Sequence, residues 1–467
     1  MKFPYLNMKF LRDRFKLYSI EMKKLLLLTM AIMMLTGGHL FSQEKIWSLE
    51  ECIRYAIDNN ITIKQQVLQT EMQKNSLDLA KLYLLPSINA SLNHDYSFGR
   101  TLNYHDYKFV DHNTSFDNAN VSGSITLFNG FINFNTIQKN KRELLASEQD
   151  LQNIKDNISL SIALAYLQIL LNKELVIEND TQLQTTKQQI EKTRKMVDAG
   201  SVARGNLLQI EAQAAQEEVQ LVTMKNQLDI SYLTLTQMLE LKTPEGFEIV
   251  MPLINVDTAS VITGKIDEIF NVAVQNRPEI KSAELKLESS KYDLKIARGG
   301  RSPRLTSNQS MGTSYNYVFH DTTNLSFSQQ IRNFRNYGVG FSLAIPILNG
   351  WQVNKNISNT KLGIANSEYV LESAKKNLYK SIQQAYADAV AALKKYSAST
   401  EAVAYSEESF RYMQQKFDLS MVTPVDYNTA KTELLKAQSD RSQAKYEYIF
   451  KTKVLDFYKG LPLNLNK

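Results

Sequence analysis

Apolar and polar positions follow two periods along this chain, in a fixed order that occurs twice. From Ser87 to Phe98 the period is two. Ile88, Ala90, Leu92, Tyr96 and Phe98 fall on one side, and Ser87, Asn89, Ser91, Asn93, Asp95 and Ser97 on the other, which predicts a strand with one apolar and one polar face. Val339, Phe341, Leu343, Ile345 and Ile347 alternate in the same way with Gly340, Ser342, Ala344 and Pro346. Two more strands are predicted over 120–128 and 303–317; in the latter Leu305, Met311, Tyr315 and Tyr317 are more scattered. The four strands are therefore 86–98, 120–128, 303–317 and 337–348. Helical patterns over 49–84 and 266–299 precede each set and stop at Pro86 and Pro303, because a proline disfavours helical backbone in its predecessor.

Each second strand runs into an Asn-Gly-aromatic triplet, SITLFNGF at 124–131 and AIPILNGW at 344–351. Asn and Gly allow a sharp change of direction, and a very long helical stretch follows in both places, 132–198 and 352–418, with no proline and no turn cluster. At 1.5 Å per residue each would be roughly 100 Å long. Val176, Leu183, Ile190 and Val197 recur at steps of seven, as do Tyr396, Val403, Phe410 and Phe417, and such steps indicate coiled-coil packing against a partner helix. Turns at AGSVARGN (199–206) and LSMVTPVD (419–426) send the chain back as helices 207–240 and 427–459.

The recurrence is an internal duplication. A shift of 220 carries the first heptad series onto the second and Val202 onto Val422; a shift of 217 carries Ala56 onto Ala273, Asn59 onto Asn276, Ala80 onto Ala297 and Pro86 onto Pro303. Repeats must be recognised before a fold is assigned. The chain divides into a first repeat, 43–240, a connector, 241–264, and a second repeat, 265–467.

Composition narrows the picture at the N-terminus. Residues 1–42 carry seven Lys/Arg against Asp13 and Glu21, a net +5, so the formal +6 of the 467-residue chain leaves the remainder at +1. A near-neutral protein lacks the basic face that nucleic acid requires. Lys23 and Lys24 precede the apolar run Leu25–Leu35 and then GGHLFSQ, the layout of a secretory signal peptide over 22–42. Met22 is the expected start and 1–21 an over-extended reading frame. The run of about 11 residues is short of the ~20 needed to span a bilayer, and no later stretch reads as apolar long enough for a spanning helix. Any membrane insertion is then through strands. Cys52 alone cannot form an intrachain disulfide.

Four strands with one apolar face and one face of Ser, Asn and Gly read as part of a transmembrane barrel with a wet interior. Four cannot close a barrel, and open edges in lipid leave backbone groups unpaired at several kcal/mol each. Several copies must share one barrel: two would give eight strands and a filled interior, three would give twelve and room for a passage. The small polar residues Ser122, Ser124, Thr126 and Ser342 would form a permissive wall.

In this order the elements resemble the TolC-like outer-membrane efflux protein family over nearly the whole chain after the leader. The resemblance rests on LFNGF (127–131), ILNGW (347–351), Pro86, Pro303 and the turn AGSVARGNLL (199–208), which is similar to the family's Val-Gly-Leu-Val-Ala-Arg-Thr-Asp-Val turn. It implies a mainly α fold with a β-barrel portion: a homotrimer whose twelve strands close a barrel in outer-membrane lipid above a periplasmic helical tube. It further implies the passive exit duct of a tripartite pump or type I secretion system, working with a periplasmic membrane-fusion adaptor and an inner-membrane transporter of RND, ABC or MFS type, and no cofactor. The hairpin tips Gly200, Ser201, Val202, Ala203, Arg204 and Ser420, Met421, Val422, Thr423 would meet the adaptor. Asn129, Gly130, Phe131, Asn349, Gly350, Trp351, Pro86 and Pro303 would form the barrel-to-helix junction. The family's acidic rings match Asp426, but this chain has Thr429 one turn on and Asn206 at the first-repeat equivalent, so a weaker cation-binding constriction is expected. Asp426 is also readable as a helix N-cap.

Two other classes fit the sequence less well. The histidines (His39, His94, His105, His112, His320) lack helical metal-ligand spacing, although His105, Asp106, Asp111 and His112 could chelate from a loop; no phosphate loop, nucleophile elbow or Cys/His pair is present, which argues against an enzyme. A periplasmic coiled-coil adaptor or structural protein of an envelope complex is the alternative. It would account for the helices but not for four strands placed identically in both repeats.

Overall fold

The computed structural model describes residues 46–103, 107–111, 113–252, 265–322, 324–419 and 421–465. The expected leader (22–42), the segment 1–21, Ser420, His105, Asp106, His112 and most of the connector lie outside them. Two units are distinguished. The smaller holds Trp47 and Glu245–Glu248, with the Trp47 and Phe247 rings 5.6 Å apart; short strands β1 (Ile46–Trp47) and β6 (Glu248–Ile249) belong to this region of the sequence. The larger unit comprises Ser48–Pro244 and Ile249–Lys467.

Its first repeat runs α1 (Leu49–Asn59), α2 (Ile61–Leu82), β2 (Ser87–Ser97), β3 (Arg100–Asn103), β4 (Lys108–Asp111), β5 (Thr114–Phe128), α3 (Ile132–Asp198) and α4 (Arg204–Met238). The second runs α5 (Ile266–Asn276), α6 (Pro278–Gly299), β7 (Arg304–Val318), α7 (Phe327–Asn333), β8 (Asn336–Ala344), α8 (Gln352–Asp418) and α9 (Pro424–Tyr458). The helical patterns over 49–84 and 266–299 are each two helices rather than one. Asn60 breaks the first: its backbone is extended, its Oδ1 accepts from Thr62 N at 2.9 Å and its Nδ2 donates to Met238 O at 3.1 Å. Arg277 breaks the second, held extended by the Pro278 that follows. Its guanidinium lies 4.2 Å from the Phe457 ring centroid and 3.4 Å from Asp156. The return helices begin earlier than 207 and 427, at Arg204 and Pro424; proline at the first helical position has no N–H to lose.

Strands β2, β5, β7 and β8 form one antiparallel sheet in that order. Strand β5 reaches back to Thr114, well before the expected 120. Strand β8 ends at Ala344 instead of 348, because Pro346 cannot donate to a ladder. Ile88, Leu92, Val339, Phe341 and Leu343 are exposed in the single chain. The shifts found in the sequence hold in the ladders: Ser87↔Ser124 and Ile88↔Gly123 in the first repeat become Arg304↔Ala344 and Leu305↔Leu343 in the second. Unanticipated are the small β3–β4 hairpin and α7, whose Gln330 side chain donates to Asn316 O and accepts from Asn316 N.

Below the sheet the helices pack on one another. α3 lies against α1, α2, α4, α6 and α9. One core joins α5, α6, α8 and α9 through Ile269, Ala273, Ile280, Leu378, Ile382 and Leu455. The heptad residue Leu183 buries against Ala214 and Leu221 of α4, flanked by Val176 and Ile190. Contrary to the expectation that no later stretch could span a bilayer, α3 does hold a segment long and apolar enough by length and composition. Its most deeply buried residues are Ile162, Tyr166, Ile169 and Leu170, and 39% of the apolar segment is buried in the single chain.

Candidate functional site

The strand-to-helix junctions are tight turns. In the first, Gly130 (φ +66°) and Phe131 (φ +61°) are both left-handed and Ile132 N donates to Asn129 O at 3.4 Å. In the second, Gly350 (+58°) and Trp351 (+60°) repeat this with Gln352 N to Asn349 O at 3.1 Å. Two positive φ values over a four-residue turn are the type I′ pattern. The aromatic residue thus carries part of the turn itself. Gly130 has a second constraint: a Cβ there would fall 2.6 Å from Gly299 O and 2.5 Å from Ser302 Cβ, one residue before Pro303. Gly350 meets nothing within 4 Å. Pro86 and Pro303 stand immediately before β2 and β7. The two junctions have matching local geometry and different surroundings.

At the other end of the long helices, the two hairpin turns come together. An open cavity of about 660 Å³ is lined by Ser201, Val202, Ala203 and Asn206 of the first turn and by Met421, Val422, Thr423 and Asp426 of the second. Gly200, Arg204 and Thr429 are not in its lining; Thr429 Oγ1 donates back to Val425 O at 2.9 Å. Across the hairpins Lys192 Nζ donates to Asp418 Oδ1 at 2.6 Å.

The turns are built by different means. After α3, Gly200 (φ +73°) donates to Val197 O and Ser201 N to Met196 O, both at 2.9 Å, the paired bonds of a Schellman stop in which glycine avoids the left-handed penalty. Ala203 then begins α4 with no side-chain cap. After α8 the long-range bond is the same, Met421 N to Lys416 O at 2.8 Å, but α9 starts on a capping box. Thr423 Oγ1 accepts from Asp426 N at 3.2 Å, and the Asp426 carboxylate accepts from Thr423 N at 3.2 Å and Oγ1 at 2.7 Å. The N-cap is therefore Thr423, and Asp426 is the third helical residue of the box; this corrects the reading of Asp426 as the cap itself. Hydrogen bonding from Thr423 holds the Asp426 carboxyl below its ordinary pKa.

Sequence reasoning missed a buried ionic cluster about two to four turns above the tips. Lys431 of α9 and Glu217 of α4 are almost fully buried, with Nζ 3.4 Å from Glu217 Oε1 and 3.1 Å from Gln182 O of α3. Thr186 Oγ1 bridges the two, donating to Glu217 and accepting from Lys431. Gln213 Nε2 donates to Glu217 at 3.1 Å. Burial pushes the Lys431 pKa down, opposed by the Glu217 charge. The signal was present: Ile210, Ala214, Glu217 and Leu221 fall at core spacing, and a carboxylate on such a stripe needs a buried partner. Among the described residues no three of His, Cys, Asp and Glu converge as metal ligands would.

The sequence profile described as "Outer membrane efflux protein" matches residues 52–240 and 269–456, one segment in each repeat. The outer membrane protein TolC of Escherichia coli (strain K12) is 22% identical over 433 residues, covering 92% of this chain and 84% of that protein. The proteases secretion protein PrtF of Dickeya chrysanthemi is 18% identical over 437 residues, 91% of this chain and 90% of that one. The crystal structure of the outer membrane protein VceC from Vibrio cholerae superposes with a TM-score of 0.73 at 15% identity, over 88% of this chain and 96% of VceC.

Proposed function

The chain belongs to the outer membrane efflux protein family, and from that premise we propose that it is the passive exit duct of an efflux or secretion system. The observation that carries the reading is the sheet. It exposes apolar side chains on one face, lines the other with Ser, Asn and Gly, and leaves β2 and β8 as outer strands, an arrangement stable in lipid only when copies close the edges. Three copies would supply twelve strands and a water-filled interior, and the helices would continue the wall into the periplasm. The chain makes and breaks no covalent bonds; an inner-membrane transporter supplies energy and a periplasmic adaptor joins the two. Which substrates pass is set by the transporter, the strand wall being small and polar.

The paired turns are the adaptor's docking end in this reading, with Gly200, Ser201, Val202, Ala203, Arg204, Ser420, Met421, Val422 and Thr423 in reach of it. They are also the gate. Asp426 carboxylates from several copies would converge near one axis, repel, and favour closure when cations bind or protons neutralise them; Asn206 and Thr429 supply no charge, so the constriction is weaker than a double acidic ring. Opening is a change of packing between hairpins. Single-channel recording in planar bilayers tests this: Asp426→Ala should raise conductance and weaken block by divalent cations, whereas unchanged conductance and block remove Asp426 from the gate. The alternative, a coiled-coil adaptor, predicts a protein that washes from membranes without detergent.

A further inference from the structure

The chain contains two copies of one unit, so it also contains a template for the contact it makes with its neighbours. Offsets of 217 (before the second strand) and 220 (from it onward) map nine of the eleven β2–β5 pairs onto the whole β7–β8 ladder. The interface between the two repeats, β5 on β7 and α3 on α6, is fully formed inside the chain. Its counterpart would place β8 and α8 of one copy against β2 and α2 of the next, and these faces are bare. Applying the offsets to Gly123↔Gln309, Val121↔Met311 and Ala119↔Thr313 gives Leu343↔Leu92, Phe341↔His94 and Val339↔Tyr96. In the single chain Leu92 is 85% and Leu343 59% exposed.

The same transfer changes the chemistry of the helical seam. Inside the chain α3 and α6 are joined by ion pairs: Lys139–Asp293 at 2.9 Å, Arg142–Glu288 at 3.1 Å and Lys286–Asp150 at 2.8 Å. Their counterparts are Asn359 with Ser76, Leu362 with Glu71 and Val370 with Gln69, none of which is an ion pair. The internal contact of Ser289 with Glu143, 3.0 Å, becomes Met72 against Gly363. Met72 is exposed, and a Cβ at Gly363 would have nothing within 4 Å, so Gly363 presents open backbone on the surface of α8 on which the methionine can seat.

We propose that neighbouring copies pair β8 with β2 in antiparallel register Leu343↔Leu92, Phe341↔His94 and Val339↔Tyr96, and that below the sheet Met72 of one copy seats over Gly363 of the next. This rests on the reading of the chain as a shared barrel and specifies how the copies fit. Directly paired strand residues bring Cα atoms within about 4.5–5.5 Å, inside disulfide range, and the native Cys52 is buried. The full-length protein carrying Leu343→Cys and Leu92→Cys, oxidised with copper phenanthroline in isolated outer membranes, should give covalent dimers and larger species on non-reducing gels. Leu343→Cys combined with Ile88→Cys or Tyr96→Cys, four residues out of register, should give at least tenfold less. Stronger crosslinking in either displaced pair overturns the register while the shared barrel stands. No crosslink in any pair, from a protein that is monomeric in detergent, overturns both. For the helices, Gly363→Phe should lower the yield of assembled complex several-fold and Met72→Ala in the same chain should restore it; a Gly363→Phe protein that assembles normally contradicts the seat.

Discussion

The two hairpin turns come from the same ancestral unit and line one cavity, yet they stop and restart the chain differently. The first depends on Gly200 to end α3 and starts α4 bare at Ala203. The second starts α9 on a reciprocal Thr423–Asp426 box reinforced by Pro424. Glycine ends a helix through its backbone, whereas the box ties the Asp426 side chain to the helix it opens. The duplicated backbone thus carries one looser turn and one braced turn, and the braced one holds the candidate gate.

The largest effect should come from the cluster that couples the two hairpins. Lys431→Met leaves Glu217 buried without its cation, and loss of one partner of a buried pair costs about 3–5 kcal/mol. Thermal unfolding in detergent should register it, and Lys431→Met with Glu217→Leu should recover most of the loss. If the single variant melts like the parent, the hairpins are not coupled there. Next in size is the cap. Thr423→Ala should destabilise the start of α9 by about 1 kcal/mol, read as faster amide exchange at Asp426 and Tyr427 with the first turn unaffected. Ala203→Thr with Asn206→Asp should transplant the box and slow exchange at the start of α4 by a comparable factor.

The smallest effect is in acid. The folded Asp426 pKa lies below its unfolded value, so its contribution is present above about pH 4 and is lost as pH falls through the lower folded value. Exchange protection at the second turn should therefore drop on acidification below about pH 4. The first turn has no carboxylate in this position and should not follow, and Thr423→Ala should remove the difference.

How much of this was legible in sequence depended on whether the signal was local. Period-two alternation at Val339–Leu343 and heptads such as Val176–Leu183–Ile190 mark strand and helix because each element has one apolar and one polar face. The Asn-Gly pairs marked the junctions, but not that Phe131 and Trp351 also turn left-handed, since an aromatic at positive φ runs against local preference. The break at Asn60 is hidden because amphipathic spacing continues through it and its bond to Met238 is long-range, whereas the break at Arg277 is marked locally by Pro278, by the rule that applies at Pro86 and Pro303. The Glu217–Lys431 pair joins residues 214 positions apart, so its meeting is a product of tertiary packing. Asp426 could be found by its motif, whereas its role within the cap required the geometry of Thr423.

One copy leaves its sheet open at β2 and β8, and in lipid other copies would have to close it. Multi-angle light scattering of the purified full-length protein in detergent, with the detergent mass subtracted, tests it most directly. Three chains per particle, with no folded species surviving when detergent is removed, is the expected result. A folded monomer, stable in detergent-free buffer, would contradict it.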